Sequence, residues 1–195
     1  DIMHTNINYD QTHYTGITVF HYGHMNGASH LYDSNGQDIS YSDIDTWVTT
    51  TDKHFFVWLW ACNPAIIHNQ YMPVAWAQRD LLQEDGYHNP AYIPDCFIGF
   101  YGASPSIYYG SFKDTTCQAF RYIERVYDYA LNQGYTVHNA LDQASQDIDT
   151  FHLPYDQSLL HLGFQTWWPG GMGQPQGWYW GWMRVYGNSG IVLRW

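Results

Sequence analysis

The segment FFVWLWACNP, residues 55–64, decides the fold of this chain. Its first six residues are large and apolar without interruption, which predicts a β-strand over 54–61 that is buried on both faces. Strands of that kind are typical of largely parallel sheets with helices on both sides. The apolar run ends at Cys62, shortly before a proline that stops the strand. The segment therefore predicts an α/β sheet with a cysteine at the carboxyl end of one strand, the edge at which such sheets form their sites.

Strands before and after this segment fit the same sheet. ITVFHY at 17–22 and FIGFY at 97–101 are rich in β-branched and aromatic residues, which indicates two further strands. Residues 23–27 have the composition of a turn, and the pair Asn35-Gly36 predicts a β-hairpin after it. The closing segment 177–195 predicts two strands joined by an Asn-Ser-Gly turn.

Helical segments alternate with these strands. Segment 74–83 has helical composition, and 116–132 is strongly amphipathic. Gly134 is expected to end that helix and Thr136 to cap the next one. The apolar residues of the two long helices are Phe120, Ile123, Tyr127, Ala130 and Leu131 in the first, and Val137, Ala140, Leu141, Ala144 and Ile148 in the second. We expect a single α/β domain over 1–195, with 1–16 as an irregular N-terminal arm.

The composition of the chain excludes several classes of partner. The formal net charge is −11 and the only lysines are Lys53 and Lys113, so the surface repels phosphate backbones and nucleic acid is a poor partner. No segment reaches the roughly 18 apolar residues of a spanning helix, so we expect no membrane insertion. Few lysines, many Tyr and Trp, and an N-terminal residue other than Met favour an extracellular or cell-surface location.

His24 and Cys62 form a candidate catalytic pair. Gly23-His24 follows the first predicted strand and Ala61-Cys62 ends the second. If these strands are parallel neighbours, both side chains emerge at the same edge of the sheet. The imidazole can then take the thiol proton, the thiolate can attack a carbonyl carbon, and the imidazolium can protonate the leaving amine. Backbone N–H groups at Gly23, Met25 and Ala61 are the candidates to bind the oxyanion.

Both residues also have structural explanations. A cysteine after an apolar run is in most cases a buried thiol, and eleven histidines make it easy for one to lie near any cysteine. His21 and His24 have the spacing H-x-x-H, but at the end of a strand such side chains point to different faces. No cysteine or carboxylate lies close to them at ligand spacing, so we expect no metal site and interpret His21 as a core or network residue.

The chain has three cysteines, Cys62, Cys96 and Cys117. An odd number permits one disulfide and one free thiol. Among the pairings, we favour a Cys96–Cys117 disulfide that leaves Cys62 free.

The order of these motifs resembles the caspase-like cysteine peptidases, which include caspases, legumain, clostripain, gingipain and separase. In that family a strand ending in Gly-His and one ending in Ala-Cys are parallel neighbours, and His24 and Cys62 stand in that order. Residues 119–145, AFRYIERVYDYALNQGYTVHNALDQAS, are similar to a segment of the bacterial caspase-like domains. Residues 178–193, WYWGWMRVYGNSGIVL, resemble their last strands. The resemblance spans roughly residues 17–195.

The resemblance implies a caspase-like three-layer sandwich and an endopeptidase that acts on a peptide or protein substrate. Cys62 would be its nucleophile and His24 its general acid/base. It implies no cofactor, although clostripain-like relatives respond to calcium. Two features depart from the family: Met25 stands where Gly usually follows the catalytic histidine, and residues 1–16 are too few to supply the usual first strand and helix. The open sheet edge that results could support self-association.

Two other functions fit the sequence. The departures from the family favour a catalytically silent caspase-like fold that acts as an extracellular structural, filament or adhesion subunit. A carbohydrate-binding module is the other, because the indole faces of Trp167, Trp168, Trp178 and Trp180 could stack on sugar rings. The same tryptophans could instead fill both faces of a sheet or line a protein–protein interface.

Overall fold

The structure is a computed structural model in which separate stretches of the chain are described. These are residues 2–26, 29–32, 37–49, 53–64, 72–77, 96–102, 104, 115–147, 162–168 and 177–193. In chain order the elements are α1 Ile2–His13, β1 Thr18–Tyr22, β2 His24–Asn26, β3 His30–Tyr32, β4 Asp38–Ser40, α2 Tyr41–Trp47, β5 Phe56–Trp60, α3 Met72–Ala77, β6 Cys96–Gly102, α4 Thr115–Tyr127, a π-helical turn Asp128–Asn132, α5 Val137–Asp147, β7 Leu162–Trp168 and β8 Gly177–Gly187.

A five-stranded sheet forms the centre of the described structure, in the order β1-β5-β6-β8-β7. β1, β5 and β6 are parallel neighbours, whereas β8 pairs antiparallel with both β6 and β7. Four of its five strands therefore run in the same direction. The predicted α/β class with a largely parallel sheet is confirmed. β1 lies at one edge, and no other described strand pairs with its outer side.

The strand β5 is buried on both faces, as its continuous apolar sequence predicts. Phe56, Trp58 and Trp60 belong to the core on one face of the sheet. Val57 and Leu59 belong to the core on the other face. This is the alternation of side chains that a strand imposes, and here both alternating sets are apolar because both faces of the sheet are covered.

Helices α4 and α5 cover the first face. Tyr122 and Val126 of α4, with Ala140 and Leu141 of α5, belong to the same buried cluster as the aromatic side chains of β5. The ring of Trp58 lies 6.3 Å from that of Tyr122 and 5.6 Å from that of Trp60, measured between centroids. Burial of a large apolar side chain contributes about 2–3 kcal/mol, so this cluster is a major source of stability.

The second face is covered by α1, α2, α3 and a small antiparallel sheet of β2, β3 and β4. Leu31 of β3, Ile39 of β4 and Ile44 of α2 are fully buried there. They share a core with Val57 and Leu59 of β5. The described elements thus form three layers, with the five-stranded sheet in the middle.

The two long helices are as predicted, except that Leu131, which was expected in the core, is exposed. The helix predicted over 116–132 is α4 continued by the π-helical turn, and Gly134 adopts a φ of 72° just after it. Thr136 caps α5, because its hydroxyl oxygen accepts the N–H of Asn139 at 3.2 Å. The predicted core positions Val137, Ala140, Leu141 and Ala144 are buried, whereas Leu131 is exposed and Ile148 lies outside the described residues.

The N-terminal segment is a helix, so the prediction of an irregular arm over 1–16 is wrong. The polar sequence of α1 has little amphipathic pattern, and distant residues stabilise the helix instead. Ile7 is buried in the second core. Gln11 is also buried; its side-chain amide donates to the carbonyl of Trp47 at 2.8 Å and accepts the N–H of Thr49 at 2.8 Å.

Two further predictions need correction. Residues 23–27 were expected to form a turn, but His24–Asn26 form β2, because they find a partner in β3. The turn at 188–190 is present, with Gly190 N–H donating to Asn188 Oδ1 at 2.9 Å. The chain after it does not pair with β8 in the described structure; Ile191 O instead accepts the N–H of Val137 at 2.9 Å, at the start of α5. The hairpin pair Asn35-Gly36 and residues 78–83 lie outside the described residues.

Candidate active site

β1 and β5 end at the same level of the sheet. Tyr22 is in register with Trp60, and the N–H of Gly23 donates to the carbonyl of Trp60 at 3.3 Å. His24 and Cys62 each stand two positions beyond this pair. The prediction that the two strands are adjacent and parallel is confirmed, and both residues lie at the carboxyl edge of the sheet.

The sulfur of Cys62 is half-buried and is contacted by Ser104, just beyond β6. The N–H of Ser104 donates to Cys62 Sγ at 3.4 Å. The hydroxyl oxygen of Ser104 lies 3.7 Å from the same sulfur. The sulfur therefore has donor groups beside it at an edge that solvent reaches.

Asn63 joins the ends of β5 and β6. Its N–H donates to the carbonyl of Gly102 at 2.9 Å, and its side-chain oxygen accepts the N–H of Gly102 at 3.0 Å. We call these two hydrogen bonds the Asn63–Gly102 clamp. The φ of Asn63 is 67°, in the left-handed region that few residues other than Gly and Asn adopt. Backbone in sparsely populated regions is concentrated at functional sites, and here it directly follows the cysteine.

His24 is exposed and stands in β2 opposite Tyr32. Among the described residues no hydrogen bond joins its ring to the sulfur of Cys62. The structure thus brings the two residues to the same edge without a formed dyad. Catalytic hydrogen bonds are often long in proteins without substrate, so the pairing stays a prediction.

His21 supports the backbone that carries His24. A Cβ atom placed on Gly23 would lie 2.6 Å from His21 Nε2, so the imidazole packs directly against the glycine. That nitrogen is buried without a hydrogen-bond partner in the described structure. Burial lowers the pKa of His21, which keeps the ring neutral at pH 7. The packing of His21 against Gly23 agrees with the interpretation of His21 as a core or network residue. The described residues contain no group of three or more side chains placed to hold a metal.

The three predicted oxyanion donors, Gly23, Met25 and Ala61, lie in different surroundings. The N–H of Gly23 donates to the carbonyl of Trp60 at 3.3 Å, and its role as an oxyanion donor stays a prediction. Gly23 also makes a close contact with His21. Met25 packs on the second core from β2, and Ala61 is fully buried at the end of β5. Their roles as oxyanion donors stay predictions.

Cys96 is buried, and the side chain of Cys117 is outside the described side chains, so the predicted Cys96–Cys117 disulfide stays a prediction. Cys96 begins β6 and packs in the first core with Ile98 and Phe100. Its place in the sheet is therefore explained by apolar packing, as is common for buried cysteines.

The four candidate sugar-binding tryptophans lie on the two strands beyond β6, and Trp180 directly precedes Gly181, the partner of Gly102 in the sheet. Trp167 and Trp168 belong to β7, the strand at the edge opposite β1, and Trp178 and Trp180 belong to β8. Trp167 is in register with Trp178. The backbone places all four on two neighbouring strands, and their role in sugar binding or at an interface stays a prediction.

Comparison of the chain with protein-family models, curated proteins and solved structures found no match. In the described part of the chain, none of the helices has the length and apolar character needed to cross a membrane.

Ser104 and Asn63 are the site residues that the sequence interpretation missed. Both follow the carboxyl end of a parallel strand, so the rule that pointed to His24 and Cys62 also applies to them. Their sequence contexts, Asn63-Pro64 and Gly102-Ala103-Ser104-Pro105, indicate only the end of a strand.

Proposed function

We propose that this chain is a caspase-like cysteine peptidase domain. The observation that carries the proposal is the register of β1 and β5, which brings Gly23-His24 and Ala61-Cys62 to the same edge of neighbouring parallel strands. That arrangement is the one expected from the resemblance. The half-buried sulfur and the exposed imidazole are both within reach of a substrate that approaches this edge.

The reaction follows from the chemistry of the two side chains. His24 takes the proton of the Cys62 thiol, and the thiolate attacks the carbonyl carbon of a peptide bond. The tetrahedral intermediate collapses as the C–N bond breaks, and the imidazolium gives its proton to the leaving amine. Water, deprotonated by His24, then attacks the thioester, which releases the acid and restores the thiol.

The test uses a peptidyl ketone electrophile that alkylates only an activated cysteine. We expect one adduct on the wild-type chain by intact mass, located on Cys62 by peptide mapping. Cys62→Ala should give no adduct, and His24→Ala should react at least about tenfold more slowly, since a general base typically contributes 100-fold or more. His13→Ala, which removes an exposed histidine of α1, is the matched control and should react like the wild type.

The outcome that overturns the proposal is specific. A folded wild-type chain without an adduct, across ketones with acidic, basic and apolar P1 residues, contradicts the peptidase assignment. Equal reaction rates for the wild type and His24→Ala contradict the role of His24 while leaving Cys62 as a reactive thiol.

A silent structural subunit is the second candidate, and the outer side of β1 favours it. Phe20 is 39% and Tyr22 is 45% exposed on this edge strand, which has no further described partner. An exposed edge with aromatic side chains is suited to pairing with another strand. Under this proposal the chain self-associates through β1, and Phe20→Lys prevents it. Light scattering that gives a monomer at all concentrations tested contradicts the proposal.

A further inference from the structure

One contact of the candidate nucleophile is left unexplained by the dyad mechanism. Ser104 approaches Cys62 Sγ with its N–H at 3.4 Å and with its hydroxyl oxygen at 3.7 Å. The two residues are 42 positions apart, so the contact arises from the alignment of β5 with β6 and not from local chain geometry.

The alignment of the two strand ends depends on few interactions. The register of β5 with β6 extends only to the pair Trp58 and Ile98. Beyond it, the Asn63–Gly102 clamp ties the two strand ends with its two hydrogen bonds. Both clamp residues have positive φ, 67° at Asn63 and 88° at Gly102. The clamp thus fixes where the chain goes after Cys62 and after β6.

We propose that Ser104 is a positioning residue for Cys62 and that the Asn63–Gly102 clamp holds it there. This proposal rests on the proposed function, in which Cys62 is the nucleophile. The orientation and reactivity of the sulfur can nevertheless be measured without a peptide substrate.

The physical basis is the charge that develops on the sulfur. A hydrogen bond to an ionised acceptor is roughly twice as strong as one to a neutral acceptor, so the N–H and the hydroxyl of Ser104 both hold the sulfur most firmly when it attacks as the thiolate. The same contact limits the directions that the sulfur can take. Attack on a carbonyl requires the reacting atoms to be aligned at about 3–3.5 Å. A sulfur that is held in one direction is in that geometry for a larger share of the time.

Alkylation by iodoacetamide, followed by mass spectrometry at Cys62, tests this proposal. Ser104→Ala removes the hydroxyl and keeps the N–H, and we expect alkylation at pH 7 to slow about twofold to threefold. Asn63→Gly keeps a backbone that accepts positive φ but removes the side-chain acceptor of the clamp. We expect it to slow alkylation about threefold to tenfold.

The dependence of the rate on pH separates this role from simple destabilisation. At about pH 10 a cysteine is largely ionised without help, so the rates of the variants should converge on that of the wild type. Asn188→Gly is the matched control, because Asn188 also accepts a glycine N–H in a turn but stands at the end of β8. Its rate should equal that of the wild type.

The outcomes divide clearly. Wild-type rates in both Asn63→Gly and Ser104→Ala overturn the proposal, and Ser104→Ala decides alone if Asn63→Gly does not fold. If the series behaves as expected while the peptidyl ketone gives no adduct that depends on His24, Ser104 positions a reactive thiol and the peptidase proposal fails.

Discussion

The two ends of β5 each carry a titratable side chain, and the fold treats them in opposite ways. His54, two positions before the strand, is 3% exposed, and both of its ring nitrogens lack a hydrogen-bond partner in the described structure. It packs edge-on against Trp76, with ring centroids 5.5 Å apart. Cys62, two positions after the strand, is half-buried and has the N–H of Ser104 on its sulfur.

The comparison shows which end of the strand can do chemistry. A buried imidazole without partners adds to apolar packing but is held neutral, because the core does not solvate its charge. The sulfur at the carboxyl edge has the N–H of Ser104 beside it, and Cys62 is only half-buried. Substitutions at the amino end should therefore change stability, whereas substitutions at the carboxyl end should change reactivity first.

Cys62→Ala is expected to have the largest effect on reactivity and little effect on stability. It removes the nucleophile, so labelling by a peptidyl ketone should be lost completely. The free energy of unfolding should change by less than about 1 kcal/mol, since the side chain is only half-buried. Mass spectrometry and urea titration measure the two effects. A loss of more than about 3 kcal/mol in stability would place Cys62 in the core and erase the difference between the two ends.

His54 should make the protein sensitive to acid. Burial, aided by the charge of Lys53, lowers the pKa of His54 from 6.5 to about 4. Between these values the unfolded chain binds more protons than the folded one, so stability falls as the pH is lowered from 6.5 to about 4. The full contribution is about 3 kcal/mol, and it is present above pH 6.5.

His54→Phe keeps a ring against Trp76 and removes the titration. We expect its stability to vary less between pH 7 and 4 than that of the wild type, measured by urea titration at each pH. His13→Phe in α1, where the histidine is exposed, should leave the pH dependence as it is. Parallel curves for the wild type and His54→Phe would show that His54 is not the group responsible.

Gly23→Ala tests the contact beneath the backbone of His24. The new Cβ would lie 2.6 Å from His21 Nε2 and 3.4 Å from the carbonyl oxygen of Tyr32, so the imidazole must move. We expect a loss of about 1–3 kcal/mol in stability and slower labelling of Cys62 by the peptidyl ketone, because His24 moves with the backbone. In a His21→Ala background the same substitution should be nearly neutral, and a double-mutant cycle measures the difference. Independent effects of the two substitutions would contradict the contact.

The strand β5 and the helix α1 differ in how well their own sequences predict them. β5 itself is predictable, because a run of large apolar residues has few alternatives to burial on both faces. α1 is not, since its polar sequence is stabilised by Gln11, whose partners Trp47 and Thr49 lie 36 and 38 positions away. Interactions of that range leave no periodic signal in the sequence of the helix.

The candidate site shows the same division. The sequence indicates His24 and Cys62 because each of them directly follows the end of a predicted strand. Ser104 is missed because its contact with Cys62 exists only once β5 and β6 are aligned. The contact between Gly23 and His21 is missed for a similar reason, because sequence spacing does not reveal that packing.

Asn63 gives the smallest and most discriminating prediction at the carboxyl end. At an ordinary φ, Ala in place of Asn is at least as stable as Gly, because Gly loses more conformational freedom on folding. At the φ of 67° of Asn63 the order should invert: we expect Asn63→Ala to lose about 2 kcal/mol and Asn63→Gly about 1 kcal/mol. Asn188 is outside the positive-φ residues of the described structure, so Asn188→Ala should be no less stable than Asn188→Gly. Urea titration of the four variants measures both orders. The same order at both positions would mean that the left-handed backbone after Cys62 carries no strain, and the clamp would then be held by its hydrogen bonds alone.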